Sequence, residues 1–367
     1  MIRVGHLALA MVAVAITFAS QVRAETIRLG AILPLTGPGA LIGTAQMRGL
    51  QFAAEAVNAK GGIRGNQIEL IFEDNQAKPD QSVIIFNKLV DLQHLPMIFT
   101  AYSGPTLAMA PLATRKKVLM VNGGAQADKL ATASPYLINT LPTIGDEVKV
   151  LAKYLAKKQL TRGAILFENS AAGIAGRDDY VKFYPESGGT VLAQEPTQFG
   201  QTDFRPALLK IADAKPQVMM VSITAGLLQM AQQYKQLGND FVVAGTTFFA
   251  DAELIADPAS EGFVHTQVRI DAPPELAAAF KAKYGADMDF FARQYYNAMQ
   301  IVMTTIDKTL ADGKPITGEN LRETLFTIRS FKGLIPLEFK TNTASVQLDI
   351  NVMKGGKDVT VEQMTSD

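Results

Sequence analysis

The chain has 367 residues, 35 basic against 35 acidic side chains, 48% hydrophobic residues and no cysteine. The charge balance gives no support for a nucleic acid or an anionic membrane as partner, and the missing cysteine excludes disulfide frameworks and Cys-based metal or nucleophilic sites. So long a chain exceeds what one hydrophobic core organises, and two lobes are expected.

Residues 1–24 read as an export signal. Arg3 precedes an apolar run, 7–19, too short to span a bilayer comfortably, and Val22-Arg23-Ala24 is a small-x-small cleavage site before Glu25. A periplasmic location with cleavage after Ala24 is expected, and the lack of a cysteine there speaks against a lipid anchor. Removal of Arg3 and Arg23 leaves the acidic side chains two in excess.

The next stretch reads as strand, turn, helix and strand. The run 26–34 is mostly apolar and short, as in a parallel strand covered on both faces. Thr36-Gly37-Pro38-Gly39 breaks it, and Met47, Leu50, Ala54 and Val57 place one apolar face on a helix over 44–59. The Gly61-Gly62 turn leads to a strand over 67–72 that ends at Glu73-Asp74. This is one βαβ unit, and its carboxyl edge is where ligands usually bind. A helix over 79–90 and a strand over 96–100 follow, and Ala101-Tyr102-Ser103-Gly104-Pro105-Thr106 opens another helix. The strand over 118–121 ends in Asn122-Gly123-Gly124-Ala125-Gln126. From Ile144 the βα pattern restarts through strands over 163–167, 190–194, 217–221, 241–245 and 262–269. Helices over 275–284, 290–311 and 317–326 precede a closing hairpin turned by Lys354-Gly355-Gly356-Lys357.

Three motifs in order, Leu33-Pro34-Leu35-Thr36-Gly37-Pro38, Val57 through Gly65, and Glu73-Asp74-Asn75-Gln76-Ala77-Lys78-Pro79, resemble the opening of the leucine/isoleucine/valine-type periplasmic binding proteins. Thr202-Asp203-Phe204 and the closing Phe331-Lys332-Gly333 extend the resemblance. It implies an α/β fold of two Rossmann-like lobes, the type I periplasmic binding protein, joined by a three-segment hinge. Lobe 1 would comprise 25–141 plus 270–335, and lobe 2 142–269 plus 336–367. The implied partners are a small-molecule ligand and the permease subunits of an ABC importer, the protein itself being a monomer. An extracytoplasmic sensing module that feeds a receptor uses the same fold and remains open.

No enzyme, cofactor or metal site is expected. The three histidines, His6, His94 and His265, stand in no metal-ligand spacing, and neither a Gly-x-Ser-x-Gly elbow nor a Walker phosphate loop is present. Gly37-Pro38-Gly39-Ala40-Leu41-Ile42-Gly43 has the wrong spacing for a dinucleotide fingerprint and reads as a flexible wall of a cleft.

The binding reading rests on Ser103, Gly104 and Thr106, where a hydroxyl and unpaired N–H groups at a helix start suit a carboxylate. The resemblance also places the ligand carboxylate at Ser103, and puts Gly124 and Gln126 in the loop that completes the polar contacts. Gln126 stands where the family has Thr, with a longer side chain expected to reach into the site. Where amino-acid-binding members carry an acid for the ligand's ammonium, this chain has Thr247. Thr224 and Ile42 stand where aromatics usually meet the ligand. Either Asp251 swings in as the acid, or the ligand has no ammonium, because a buried ammonium without a partner costs several kcal/mol. Ile42, Tyr102, Phe248, Phe249 and Tyr295 are the expected apolar wall.

Overall fold

A computed structural model describes residues 26–365; the expected export signal, 1–24, lies outside the described residues. Among the described residues no helix is long and apolar enough to cross a membrane.

The first lobe is built on five parallel strands: β1 (Thr26–Leu33), β2 (Gln67–Asp74), β3 (Met97–Thr100), β4 (Leu119–Asn122) and β5 (Leu137–Asn139), in spatial order β2-β1-β3-β4-β5. Helices α1 (Ala40–Asn58), α2 (Pro79–Asn87) and α3 (Ser103–Lys116) connect them. Residues 27–33 of β1 are buried apart from Arg28, because the strand lies between β2 and β3 with helices over both faces.

The second lobe repeats the plan. Helix α4 (Ile144–Lys157) leads to β6 (Arg162–Glu168), α5 (Ala171–Glu186), β7 (Thr190–Thr197), α6 (Arg205–Asp213), β8 (Val218–Ser222), α7 (Leu227–Gln236), β9 (Val242–Gly245), α8 (Ala252–Ala256) and β10 (Val264–Val268). The chain then returns to the first lobe as α9 (Pro274–Tyr284), α10 (Phe290–Ala311) and α11 (Gly318–Ile328), followed by a small ribbon of β11 (Ser330–Lys332) and β12 (Pro336–Glu338). Strands β13 (Gln347–Lys354) and β14 (Lys357–Thr365) finish antiparallel on the second sheet, whose order is β14-β13-β10-β9-β8-β6-β7. Gly355 and Gly356, at φ 58° and 72°, make the tight hairpin turn between them.

Local chemistry explains the boundaries. A capping box of Thr143 and Asp146 starts α4, and the Asp289 carboxylate caps α10 by accepting from Ala292 N at 2.8 Å. α10 packs along α1 closely enough that a Cβ on Gly49 would stand 2.1 Å from the Ala292 carbonyl oxygen. Three differences from the sequence reading are evident. The helix read over 79–90 ends at Asn87 and continues as a wide π turn over 88–92. α8 is one short extra helix. β5, β11 and β12, of three residues each, owe their extension to pairing with neighbours, and no run of three residues carries a period of its own.

The order 2-1-3 around β1 in the first sheet recurs as 7-6-8 around β6 in the second. The switch point of each sheet therefore lies at the carboxyl ends of β1 and β3, and of β6 and β8, and these edges face one another. Pro38 of the first lobe meets Gly200 of the second, where an added Cβ would lie 2.6 Å from the proline Cγ, and the Tyr102 and Phe199 rings meet edge to face at 6.0 Å. The cleft is shut.

One contact across it is acidic on both sides. Asp128, in the loop between β4 and β5, hydrogen-bonds the carboxyl of Asp179 on α5, which burial and this neighbour push up to about 8. The second Asp179 oxygen is buried without another partner. Folded Asp179 keeps a proton that the unfolded chain has lost above its ordinary 3.8, so stability declines as pH climbs from about 4 to about 8. Asp179→Asn supplies a permanent donor to Asp128. Its melting temperature should match the wild type below pH 4 and exceed it increasingly up to pH 8; a constant offset in thermal melts across that range would show that the pair does not share a proton.

Candidate functional site

Ser103 opens α3 at the floor of the cleft and is almost fully buried. Its Oγ accepts from Gln126 N at 3.3 Å and Ala127 N at 3.1 Å. With two acceptor positions used, the hydroxyl hydrogen is left to donate, and no acceptor for it stands among the described residues. The residue before it, Tyr102, has φ 63° and ψ 131°, a left-handed φ that a bulky side chain rarely adopts. Its ring is thereby swung across the cleft toward Phe199, with its hydroxyl beneath Gly39, buried and without a hydrogen-bond partner among the described residues.

Ile42, Tyr102, Ser103 and Gly124 from the first lobe and Ala172, Thr224 and Phe248 from the second enclose one small cavity. Past Tyr102, Ser103 and Ala172 it meets a mouth of about 240 Å³, whose other walls include Gly104, Glu168, Ser170 and Phe199. The mouth lies below the range that holds drug-sized ligands and suits a small one, while the enclosed cavity behind it measures only about 10 Å³. A Cβ on Gly124 would stand 2.6 Å from Gln46 Nε2, so any larger residue there displaces the Gln46 amide. Tyr295 lies beneath this loop and donates to the Thr100 carbonyl at 2.6 Å, and Phe249 packs on Phe263 and His265. Both aromatics belong to the core beneath the cavity, so of the expected apolar wall Ile42, Tyr102 and Phe248 remain.

Four expected residues are engaged elsewhere. Thr106 shares a hydrogen bond with Thr100 Oγ1 at 2.9 Å and is sealed behind the β3–α3 turn. Gln126 does not extend into the cavity. Its Nε2 donates to Glu147 at 2.5 Å and to the Pro142 carbonyl at 3.2 Å. Thr247 gives both its N–H and its hydroxyl to Glu147, each at 2.8 Å. Asp251 does not swing in, because its carboxylate caps α8 by accepting from Glu253 N at 2.8 Å and Leu254 N at 3.1 Å.

Two carboxylates went unread. Glu147, fully buried on α4, accepts from Gln126, from Thr247 twice and from Thr266 Oγ1 at 2.6 Å. Burial pushes its carboxyl up, and these bonds pull it back. Its position was legible, as Glu147 stands three residues after Ile144 and four before Leu151 on the apolar face of α4. Glu168 ends β6 and accepts from Ser170 Oγ at 2.6 Å, Thr224 Oγ1 at 2.7 Å and Thr224 N at 2.9 Å; burial pushes it up as well. The signal for Glu168 was available, as the polar run Glu168-Asn169-Ser170 follows an apolar strand at the carboxyl edge.

Two α/β lobes with facing switch points, shut over a small cavity with a hydroxyl at a helix start, form the architecture of a ligand-capturing protein. The chain belongs to the periplasmic binding protein family, whose model matches residues 26–358. It is 28% identical over 321 residues to the leucine-, isoleucine-, valine-, threonine- and alanine-binding protein of Pseudomonas aeruginosa, covering 84% of this chain and 86% of that one. A solute-binding protein of an ABC transporter from R. palustris, solved with benzoate, superposes with a TM-score of 0.85 at 22% identity, over 93% of this chain and 97% of that one. The branched-chain amino acid transporter substrate-binding protein of Streptococcus pneumoniae, solved with isoleucine, gives 0.82 at 22% identity over 93% and 100%. The expected class, a substrate-binding protein of the branched-chain amino-acid ABC-transporter type with the type I fold, is borne out.

Glu147→Gln should destabilise the protein by about 1–3 kcal/mol, because either placement of its amide NH₂ opposes a buried donor that the carboxylate had satisfied. Denaturant unfolding reads this directly. A variant within 0.5 kcal/mol of the wild type, a margin typical of a surface substitution, would show that the four bonds contribute nothing net.

Proposed function

We propose that this protein captures a small monocarboxylate with a compact apolar body and no α-amino group, for delivery to the permease of an ABC importer in the periplasm. The observation that carries the reading is the Ser103 hydroxyl. Fixed by two backbone N–H groups at the start of α3, it has its hydrogen free and faces Ile42, Ala172 and Phe248 across the cavity. The first lobe, 25–141 plus 270–335, would receive the carboxylate at Ser103 and Gly104. The second, 142–269 plus 336–367, would swing about the three crossings to bring Thr224 and Phe248 over the ligand. Closure excludes water and strengthens the polar contacts, and it follows only if the ligand favours the shut form. The monomer would then present both lobe surfaces to the membrane subunits, with ATP hydrolysis supplied by a separate chain.

What Thr247 and Asp251 do instead supports a ligand without an amino group. Both positions at which an ammonium partner was expected are committed to protein hydrogen bonds. The relatives include proteins solved with benzoate and with isoleucine, and both chemistries enter the test. A second reading, a hydrophobic amino acid, has one observation in its favour, the carboxylate of Glu168 at the cavity mouth.

Thermal melts of refolded mature protein with millimolar benzoate, 4-methylpentanoate, leucine, isoleucine and valine separate the two. A ligand at a thousand times its Kd adds about 4 kcal/mol, a visible shift. Stabilisation by the des-amino acids is expected, with Ser103→Ala weakening it at least tenfold through loss of a hydrogen bond to a charged group. Tight leucine binding with no response to either acid would sink the reading.

A further inference from the structure

The cavity and its mouth are lined by no lysine, arginine or histidine among the described residues, and their titratable side chains are Glu168 and Tyr102. A carboxylate ligand entering this space meets a second carboxylate, 1% exposed, with no cation to balance either. We propose that Glu168 sets the charge the cleft accepts: a monocarboxylate is captured together with one proton from solvent, which settles on Glu168, so the shut complex gains no net charge. This inference rests on the reading of the ligand as a carboxylate without an amino group.

The surroundings of Glu168 support it element by element. From α5 come the Ser170 hydroxyl and the N-terminal end of the helix, which ease a negative charge. Arg177, two turns further on, lies 5.0 Å over the Phe167 ring and bonds Asp178 at 2.6 Å. The Glu168 side chain packs against Gly173 of the same helix, but no hydrogen bond or ion pair joins it to Arg177 among the described residues. From the loop after β8 come only the two Thr224 donors, and β7 contributes the uncharged Thr197. From the first lobe comes the Tyr102 hydroxyl, which is fully buried without a partner; burial and the nearby Glu168 charge hold its proton on firmly.

Three donors make a lone Glu168 carboxylate tolerable in the empty cleft. They do not offset a second like charge, because two carboxylates sharing a water-excluded site cannot both stay ionised. A proton on Glu168 removes the repulsion and supplies a hydroxyl that donates either to the ligand carboxylate or to the Tyr102 oxygen. The sequence of events balances: one anion and one proton enter, and a neutral increment is bound. Above the pH at which free Glu168 ionises, affinity then falls by up to tenfold per pH unit.

Calorimetric titration of the full mature protein with benzoate and 4-methylpentanoate tests this, in paired buffers of different ionisation enthalpy at pH 6, 7 and 8. About one proton taken up per ligand at pH 8 is expected, with Kd rising with pH. In Glu168→Gln, uptake should vanish and the pH dependence flatten, with tighter binding than wild type at pH 8. Benzoate binding by the wild type with no proton uptake and a flat Kd would overturn the inference and leave the monocarboxylate reading standing. Leucine binding without uptake, abolished by Glu168→Gln and unmatched by either acid, would overturn both and make Glu168 the counter-charge of an ammonium. The wild-type proton count decides the matter even if the variant fails to fold.

Discussion

The Glu147 carboxylate is the constraint on which the arrangement of the cleft depends. It sits at the first turn of α4, and it is bound by groups from the loop after β4, the turn after β9 and strand β10. Taking a carboxylate out of water costs several kcal/mol, and only a nearly full set of donors offsets that. Gln126, Thr247 and Thr266 therefore have to converge on it, which fixes the loops that border the cavity from both sheets. It also engages Gln126 and Thr247, neither of which lines the cavity. Residues placed at the ligand by a linear register thus serve the frame that holds the ligand site.

The site itself follows from sheet topology and a single backbone distortion. Both sheets reverse strand order at the same relative place, so their open carboxyl edges present polar turns to one another. The left-handed φ of Tyr102 carries its ring into the cleft and leaves Ser103 as the first residue of α3. Backbone strain in a bulky residue persists only where the surroundings hold it, and such residues concentrate at ligand sites. Ala172 and Thr224 on the opposing lobe are small, and with Phe248 they wall a cavity of about 10 Å³ behind the mouth.

Charge separates this cleft from one built for a zwitterion at the expected position. Asp251 is drawn off to cap a helix, and the remaining acid, Glu168, comes from a different strand end and is already held by three donors. On the proposed reading, the specificity of the site would be governed by how many negative charges a dry, cation-free space tolerates.

The sequence by itself determined the lobed α/β architecture, the long elements and the Ser103 corner. Apolar runs of strand length, helix faces at three and four residues and glycine-bearing turns are local patterns, so α4 and α10 were legible to the residue and the βα repeats in order. Ser103 and Tyr102 were legible as cavity residues because a carboxyl-edge turn is a local feature too, whereas Gly124, Thr224 and Ile42 came from the family resemblance and Phe248 from its apolar character. Only the tertiary structure decided the fate of Gln126, Thr247 and Asp251 and the weight of Glu147 and Glu168. A side chain's partner depends on which loops the two sheets bring together, from as far as 119 residues apart for Thr266 and Glu147, and no spacing in the chain encodes that. The three-residue strands were invisible for the same reason, since pairing across space, not period along the chain, makes them strands.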